Sequence, residues 1–235
     1  NIRFNRGLDP DDMNRYACYM GLAYSIKGSL IDKWIKTQKS CKDTLSKRVF
    51  YLSLEFLPGR FLKNYLISLG LEETAQIVLS DFGFELNALE EEEWDAGLGN
   101  GGLGRLASCY MDSIARLRLP GYGYGIRYDF GIFHQILKNG YQQEKSDNWM
   151  RRGNPWEIMR FENIHKIRFY GRSETYTDIR GNKRYRWVDT ENVMAMACDI
   201  MVPGINDDFV TNMRLWTATS SRKLDLEFFN RGDYM

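Results

Sequence analysis

The residues that could do chemistry are concentrated in DAGLGNGGLG, residues 95–104. Five glycines fall between Gly97 and Gly104, and the spacing G-x-G-x-x-G fits twice, as Gly97, Gly99, Gly102 and as Gly99, Gly101, Gly104. The residues after them, Leu103, Leu106, Tyr110, Ile114 and Leu117, mark one face of a helix. A helix start leaves backbone N–H groups unpaired and carries about half a positive charge. Glycines ahead of it let an anion approach the backbone. A dinucleotide fingerprint follows directly on a strand. Here the lead-in is NALEEEEWDA, acidic and helix-like, which argues against that use. Two readings stay open from spacing alone: an anion or phosphate site at the helix beginning near Leu103, or a structural turn that packs two elements closely.

Other candidates are weaker. Glu55 closes the apolar run VFYLSLEF (49–56), where α/β folds place their sites, and is either functional or a partner for a nearby arginine such as Arg60. The run Glu90–Glu93 reads as a solvated helix face. His134 and His165, the two histidines, have neither a nucleophile motif nor metal spacing around them and read as structural. The basic cluster RGNKRYRW (180–187) reads as the solvated face of a hairpin rather than a nucleic-acid contact. Taken alone, the chain offers no complete catalytic set and no metal site.

The elements that must position these residues can be outlined. DPDDMNRYACYMGLAYSIKGSLIDKWIK predicts a long helix with Asp9 as N-cap, Pro10 at its first position, Asp11 and Asp12 in its first turn, and Met13, Tyr16, Met20, Ala23, Ile26, Leu30 and Trp34 as its stripe. KTQKSCKDTLSKR then reads as a polar connection, and 49–56 as a buried strand ended by a turn at Pro58-Gly59. Helices are expected over 60–69, 72–81 and 84–93. After Pro120-Gly121 the pattern changes to strands, with hairpins turning at Asn139-Gly140 and Gly181-Asn182 and a further strand at TNMRLWTAT. The order implies an α/β fold: helices, a strand and the glycine-rich helix over 1–120, and mainly strands over 121–235.

Composition narrows the class. The 235 residues are 43% hydrophobic and carry a net charge of +1, so a sizeable core is possible and no global field steers the chain to nucleic acid or an anionic membrane. The longest apolar runs are far short of a membrane span. Cys18, Cys41, Cys109 and Cys198 are widely spaced and show no C-x-x-C pattern, which points to a reducing, cytoplasmic setting. The chain opens at Asn1 without an initiator methionine and stops at FFNRGDYM, as expected of a piece of something longer.

Five motifs then fall in order: YLSLEFLPGRFLKN (51–64), DAGLGNGGLGRLASCYMDSIA (95–115), GYGYGIRYDFGIF (121–133), GNPWE (153–157) and TNMRLWTA (211–218). Together, from about Phe4 to Met235, they resemble the alpha-glucan (glycogen, starch, maltodextrin) phosphorylase family. The resemblance covers the front part of that family's N-terminal domain. It implies a Rossmann-like N-terminal domain of a two-domain glycosyltransferase-B type fold, incomplete in this chain. It also implies pyridoxal phosphate as cofactor, held by a lysine in a C-terminal domain that this sequence lacks. By the same resemblance, Asn100, Gly101 and Gly102 line the cofactor and phosphate pocket, Leu103 offers its backbone N–H to the sugar, and Glu55 lines the catalytic site. The implied partners are an α-1,4-glucan, inorganic phosphate, the remainder of the polypeptide and a second subunit in a homodimer. Leu57 stands where many animal members have tyrosine, and the loop near Lys42 lacks the aromatic residues that stack AMP in them. The chain alone is expected to be inactive. Rival expectations are a non-catalytic glucan-binding or regulatory remnant, and a dinucleotide-binding oxidoreductase, which a strand directly before Gly97 would favour.

Overall fold

The computed structural model describes residues 3, 5, 7–9 and 12–219. It is a mixed α/β structure. The first compact unit comprises residues up to Ile158 and Cys198–Leu215; the second comprises Met159–Ala197 and the chain from Trp216.

In the first unit, helix α1 spans Arg15–Asp43. Its N-cap is Asn14, whose side-chain oxygen accepts from Ala17 N at 2.8 Å, not Asp9 as the sequence suggested. Asn14 is the capping side chain adjacent to the first helical residue, and this bond satisfies one of the helix's free donors. Pro10 and Asp11 lie outside the described residues. The expected polar connection from Lys36 is instead helical as far as Asp43, about two further turns of α1. The stripe continues through buried Thr37 and Cys41, and the Thr37 hydroxyl accepts from Val210 N at 3.1 Å. Burial of one face outweighs the polar character of the other.

The run 49–56 is not one buried strand. Strand β1 (Val49–Leu52) is followed by a break and then β2 (Phe56–Gly59). Ser53 causes the break: its hydroxyl accepts from Glu55 N and donates to Glu55 O, which folds the chain back on itself. Pro58 and Gly59, expected as a turn, belong to β2, at an irregular register where proline costs no ladder bond. Helices α2 (Leu62–Leu69), α3 (Glu72–Asp81) and α4 (Leu86–Glu90) follow, the last shorter than its acidic sequence predicted. Strand β3 (Ala96–Leu98) leads into α5 (Gly102–Arg116).

The face of α5 is also corrected. Gly104, Ala107, Ser108, Met111 and Ala115 are buried, whereas Leu103, Leu106, Tyr110 and Leu117 are exposed. The backbone of α5 approaches the glycine turn too closely for bulky residues. A Cβ on Gly104 would lie 3.1 Å from Gly99 Cα, so small residues take the inner face and large ones are turned outward.

Strand β4 (Gly121–Ile126) pairs parallel to β1, from Val49 opposite Gly121 to Leu52 opposite Tyr124. Strands β5 (Gly131–Lys138) and β6 (Tyr141–Asp147) form the expected hairpin. Asn139 and Gly140 both have positive φ, 53° and 77°, as a tight two-residue turn demands. Strands β7 (Glu157–Phe169), β10 (Glu191–Pro203) and β11 (Val210–Thr219) each pass from one unit to the other. The central sheet has the order β1-β4-β11-β10-β7, leaving β1 at an edge among the described residues. Its core gathers Leu30, Phe56, Leu66, Met111, Ile200 and Leu215.

The second unit contains the hairpin of β8 (Arg172–Thr177) and β9 (Lys183–Val188). Its basic cluster is the expected solvated, charge-paired face: Arg186 meets Glu174 at 2.7 Å and Arg184 meets Asp178 at 3.0 Å. His165 lies edge-on to the Trp216 ring at 5.4 Å.

Candidate functional site

Strand β3, the glycine turn and α5 make one continuous feature. Gly101 is the N-cap of α5, with extended backbone, and no side chain among the described residues caps the helix. Gly101 O accepts from Arg105 N at 2.9 Å. The N–H groups of Gly102, Leu103 and Gly104 precede the first residue that an α-helix can satisfy by itself. No acidic residue occupies the first turn to compete for them.

The glycines serve two different ends. A Cβ at Gly99 would meet Gly104 Cα at 3.2 Å and Leu57 Cβ at 3.3 Å, so Gly99 and Gly104 allow strand, turn and helix to touch. A Cβ at Gly101 or Gly102 would meet nothing within 4 Å. The two readings left open by the spacing therefore apply to different positions. One pair packs; the other leaves open space in front of a helix start.

Glu55 is brought to the turn. Its carboxylate accepts from Asn100 N at 3.0 Å and from Asn100 Nδ2 at 3.2 Å. It does not pair with Arg60, which bonds Glu91 at 3.0 Å and Asp95 at 3.3 Å. Those contacts, the Glu91 hydrogen bond first, hold the guanidinium above its usual range. Glu55 is itself held by the Ser53 turn. Beside it, Tyr128 donates to Leu54 O at 3.0 Å, and Arg105 donates to Leu57 O at 3.2 Å. A cleft of about 270 Å³ opens here, lined by Glu55, Asn100, Tyr128, Phe130 and Ile132. The structure thus gathers Glu55, Asn100 and the start of α5 at one place. Leu103, the second residue of α5, is 76% exposed.

Two acidic residues escaped sequence reasoning. Glu93, taken as part of a solvated run, is only 4% exposed. It accepts from Phe61 N, Leu62 N and Trp156 Nε1 at 3.0, 2.8 and 2.7 Å, capping α2 from a distance in sequence. Burial pushes its carboxyl above the usual range against these bonds. The three- and four-residue steps Leu86, Leu89 and Glu93 were the available signal, since they continue the buried positions of α4 into the turn that follows Glu90. Asp147 is buried at the end of β6, and no motif marked it. His134 stacks on Trp94 at 5.2 Å, with the Arg151 guanidinium 3.7 Å from the same ring.

A short strand does cross Gly97, but β3 pairs antiparallel with β2 in a two-stranded ribbon. A dinucleotide fingerprint needs a parallel βαβ unit, so this arrangement does not support an oxidoreductase. No helix among the described residues is long and apolar enough to cross a membrane.

Comparison with known proteins agrees with the motifs and their geometry. The carbohydrate phosphorylase family model matches residues 79–235. The chain is 48% identical over 226 residues to glycogen phosphorylase of Chlamydia pneumoniae, covering 96% of this chain and 27% of that protein. It is 45% identical over 235 residues to the brain form of glycogen phosphorylase from Bos taurus, covering 100% of this chain and 27% of that protein. Against the human liver form it is 46% identical over 217 residues, covering 92% of this chain and 25% of that protein. The chain belongs to the carbohydrate phosphorylase family. It spans about a quarter of the length of the curated relatives it matches.

Proposed function

We propose that this chain is the front part of the N-terminal domain of an alpha-glucan phosphorylase. The whole enzyme moves a terminal α-1,4-linked glucosyl unit onto inorganic phosphate and releases glucose 1-phosphate with retained configuration. It is a cytoplasmic homodimer of glycosyltransferase-B architecture, whose C-terminal domain completes the site. The observation that carries this reading is the uncapped start of α5, with open space at Gly101 and Gly102 and with Asn100 fixed by Glu55.

That arrangement fits the phosphate of pyridoxal phosphate or of substrate. The donors are main-chain N–H groups, and backbone approach is unobstructed at the two glycines a Cβ would otherwise cover. Asn100, Gly101 and Gly102 would hold the cofactor and phosphate, Leu103 N–H would meet the sugar, and Glu55 would line the glucosyl site. When bound, the cofactor supplies a phosphate group that assists proton transfer. The residues of this chain bind and orient. N–H groups at a helix start place positive potential beside dianions without a titrating side chain, and they need no reorganisation as charge develops.

The test uses the full-length polypeptide with maltoheptaose, inorganic phosphate and pyridoxal phosphate, with glucose 1-phosphate as readout. Product is expected from the full chain and not from residues 1–235 alone. A full-length protein that binds the glucan but forms no glucose 1-phosphate would refute the reading in favour of a non-catalytic remnant.

A further inference from the structure

The break between β1 and β2, which carries Glu55, is held by hydrogen bonds more than by packing. Leu52 and Leu54 are 77% and 70% exposed, so neither side chain anchors it. Ser53 N donates to Tyr124 O at 3.0 Å and ties the break to strand β4. The Ser53 hydroxyl donates to Glu55 O at 2.7 Å and accepts from Glu55 N at 3.2 Å. Between these two residues, Leu54 O accepts from the Tyr128 hydroxyl at 3.0 Å. Two side-chain hydroxyl groups therefore fix the main chain on which Glu55 stands.

The position of Glu55 matters at the helix start. Its two carboxylate oxygens accept from Asn100 N and Asn100 Nδ2, and Asn100 immediately precedes Gly101, the N-cap of α5. Its stem is wedged against the turn: a Cβ on Gly99 or Gly104 would lie 3.4 or 3.3 Å from Glu55 Cβ. Charge makes the orientation more demanding. A carboxylate beside an anion site repels the anion most when its oxygens face it. Here both oxygens are turned to Asn100. Groups that bind a ligand need supporting hydrogen bonds to keep their geometry within about 0.5 Å. Ser53 and Tyr128 supply that support one step behind Glu55.

We propose that Ser53 and Tyr128 are positioning residues for the anion site at the start of α5. Their hydroxyls hold the main chain of residues 53–55, which keeps the Glu55 carboxylate on Asn100 and keeps Asn100 in register with the free N–H groups that follow it. That the anion is phosphate rests on the function proposed above; the link from Ser53 and Tyr128 to Asn100 rests on the hydrogen bonds.

Ser53→Ala, Ser53→Thr and Tyr128→Phe are made in the full-length protein. Two readouts are taken: KM for phosphate and kcat from glucose 1-phosphate release, and hydrogen exchange at the Asn100 amide, resolved by mass spectrometry with fragmentation. One hydrogen bond is worth about fivefold. Ser53→Ala should therefore raise KM for phosphate and speed Asn100 exchange about fivefold each, and Tyr128→Phe about threefold, with exchange at Met111 inside α5 unchanged. Ser53→Thr keeps the hydroxyl and should restore both values. In a Glu55→Gln background, Ser53→Ala should change KM for phosphate less than about twofold, because the effect runs through the carboxylate. If Ser53→Ala does not fold, Tyr128→Phe decides, because its ring stays in place. Faster exchange at Met111 as well as Asn100, with lower kcat and unchanged KM, marks a merely structural role and overturns the proposal. An active enzyme in which the folded variants keep wild-type KM for phosphate and wild-type Asn100 exchange overturns the positioning role alone. A full-length protein that forms no glucose 1-phosphate, yet shows faster Asn100 exchange in Ser53→Ala and recovery in Ser53→Thr, upholds the link to Asn100 and overturns the proposed function instead.

Discussion

Glu93→Ala isolates what one buried carboxylate does for the fold. The substitution strands three donors: Phe61 N, Leu62 N and Trp156 Nε1, all now within 3.0 Å of the carboxylate. A buried donor left unpaired costs about 1–3 kcal/mol. Water entering the space vacated by the side chain recovers part of this, so the low end of the summed range, about 3–5 kcal/mol, is expected. Glu92, its neighbour, is the control. It pairs with Arg152 at 2.9 Å, both side chains being partly exposed, and Glu92→Ala should cost no more than about 1 kcal/mol. Urea denaturation at pH 7, followed by circular dichroism, measures both costs. A second check comes from pH. Burial raises the Glu93 carboxyl in the folded protein above its ordinary value. The native state then binds the proton more readily than the unfolded state. The stability this group confers is fully present below the unfolded pKa and is lost as pH rises through the folded one. Glu93→Gln should remove that slope. If Glu93→Ala and Glu92→Ala cost the same, within about 0.5 kcal/mol, the capping argument is wrong.

Other substitutions test neighbouring parts of the argument. Gly99→Ala should destabilise the protein by about 1–3 kcal/mol through overpacking, because its Cβ would press on Gly104 and Leu57; Gly102→Ala should fold normally yet raise KM for phosphate in the full-length enzyme. Asp199 is fully buried and holds Arg214 at 2.8 Å through both carboxylate oxygens. Asp199→Ala should therefore cost about 3–5 kcal/mol in chemical denaturation. A maleimide at neutral pH should label Cys109, the exposed thiol, well before Cys18, Cys41 or Cys198; burial pushes the Cys198 thiol up to about 12, and mass spectrometry after short exposure reads the order.

Element types were largely legible in the sequence, and their faces were less so. The hairpin at Asn139-Gly140 was visible because those two residue types tolerate the left-handed backbone the turn requires. Helix α1 was visible from its stripe, but its ends were not. Asn14 and Thr37 matter through contacts that composition does not weight: a cap one residue away and a strand 173 residues on. The inner face of α5 was misjudged because bulk was taken as the mark of burial. The positions 104, 107, 108, 111 and 115 also carry helical spacing, in small residues, and close approach to the turn selects them. Glu55 and Asn100 were placed together by a family resemblance; their hydrogen bonds needed coordinates. Asp147 is an ordinary acid in sequence, and only tertiary burial distinguishes it from its neighbours, whereas Glu93 was marked only by its spacing from Leu86 and Leu89.

The outward side of α5 bears on how the chain behaves in a test tube. Leu103, Leu106, Tyr110 and Leu117 stand exposed along one helix, and Val49, Phe50 and Leu52 stand exposed on the edge strand β1. Contiguous apolar surface associates in water, and an open strand edge templates pairing. What ordinarily opposes both is charge repulsion, and here the net charge is +1 with an isoelectric point near 7.8. At neutral pH the isolated chain has almost no colloidal protection. It is therefore best handled well below pH 7.8, or with the rest of its polypeptide attached.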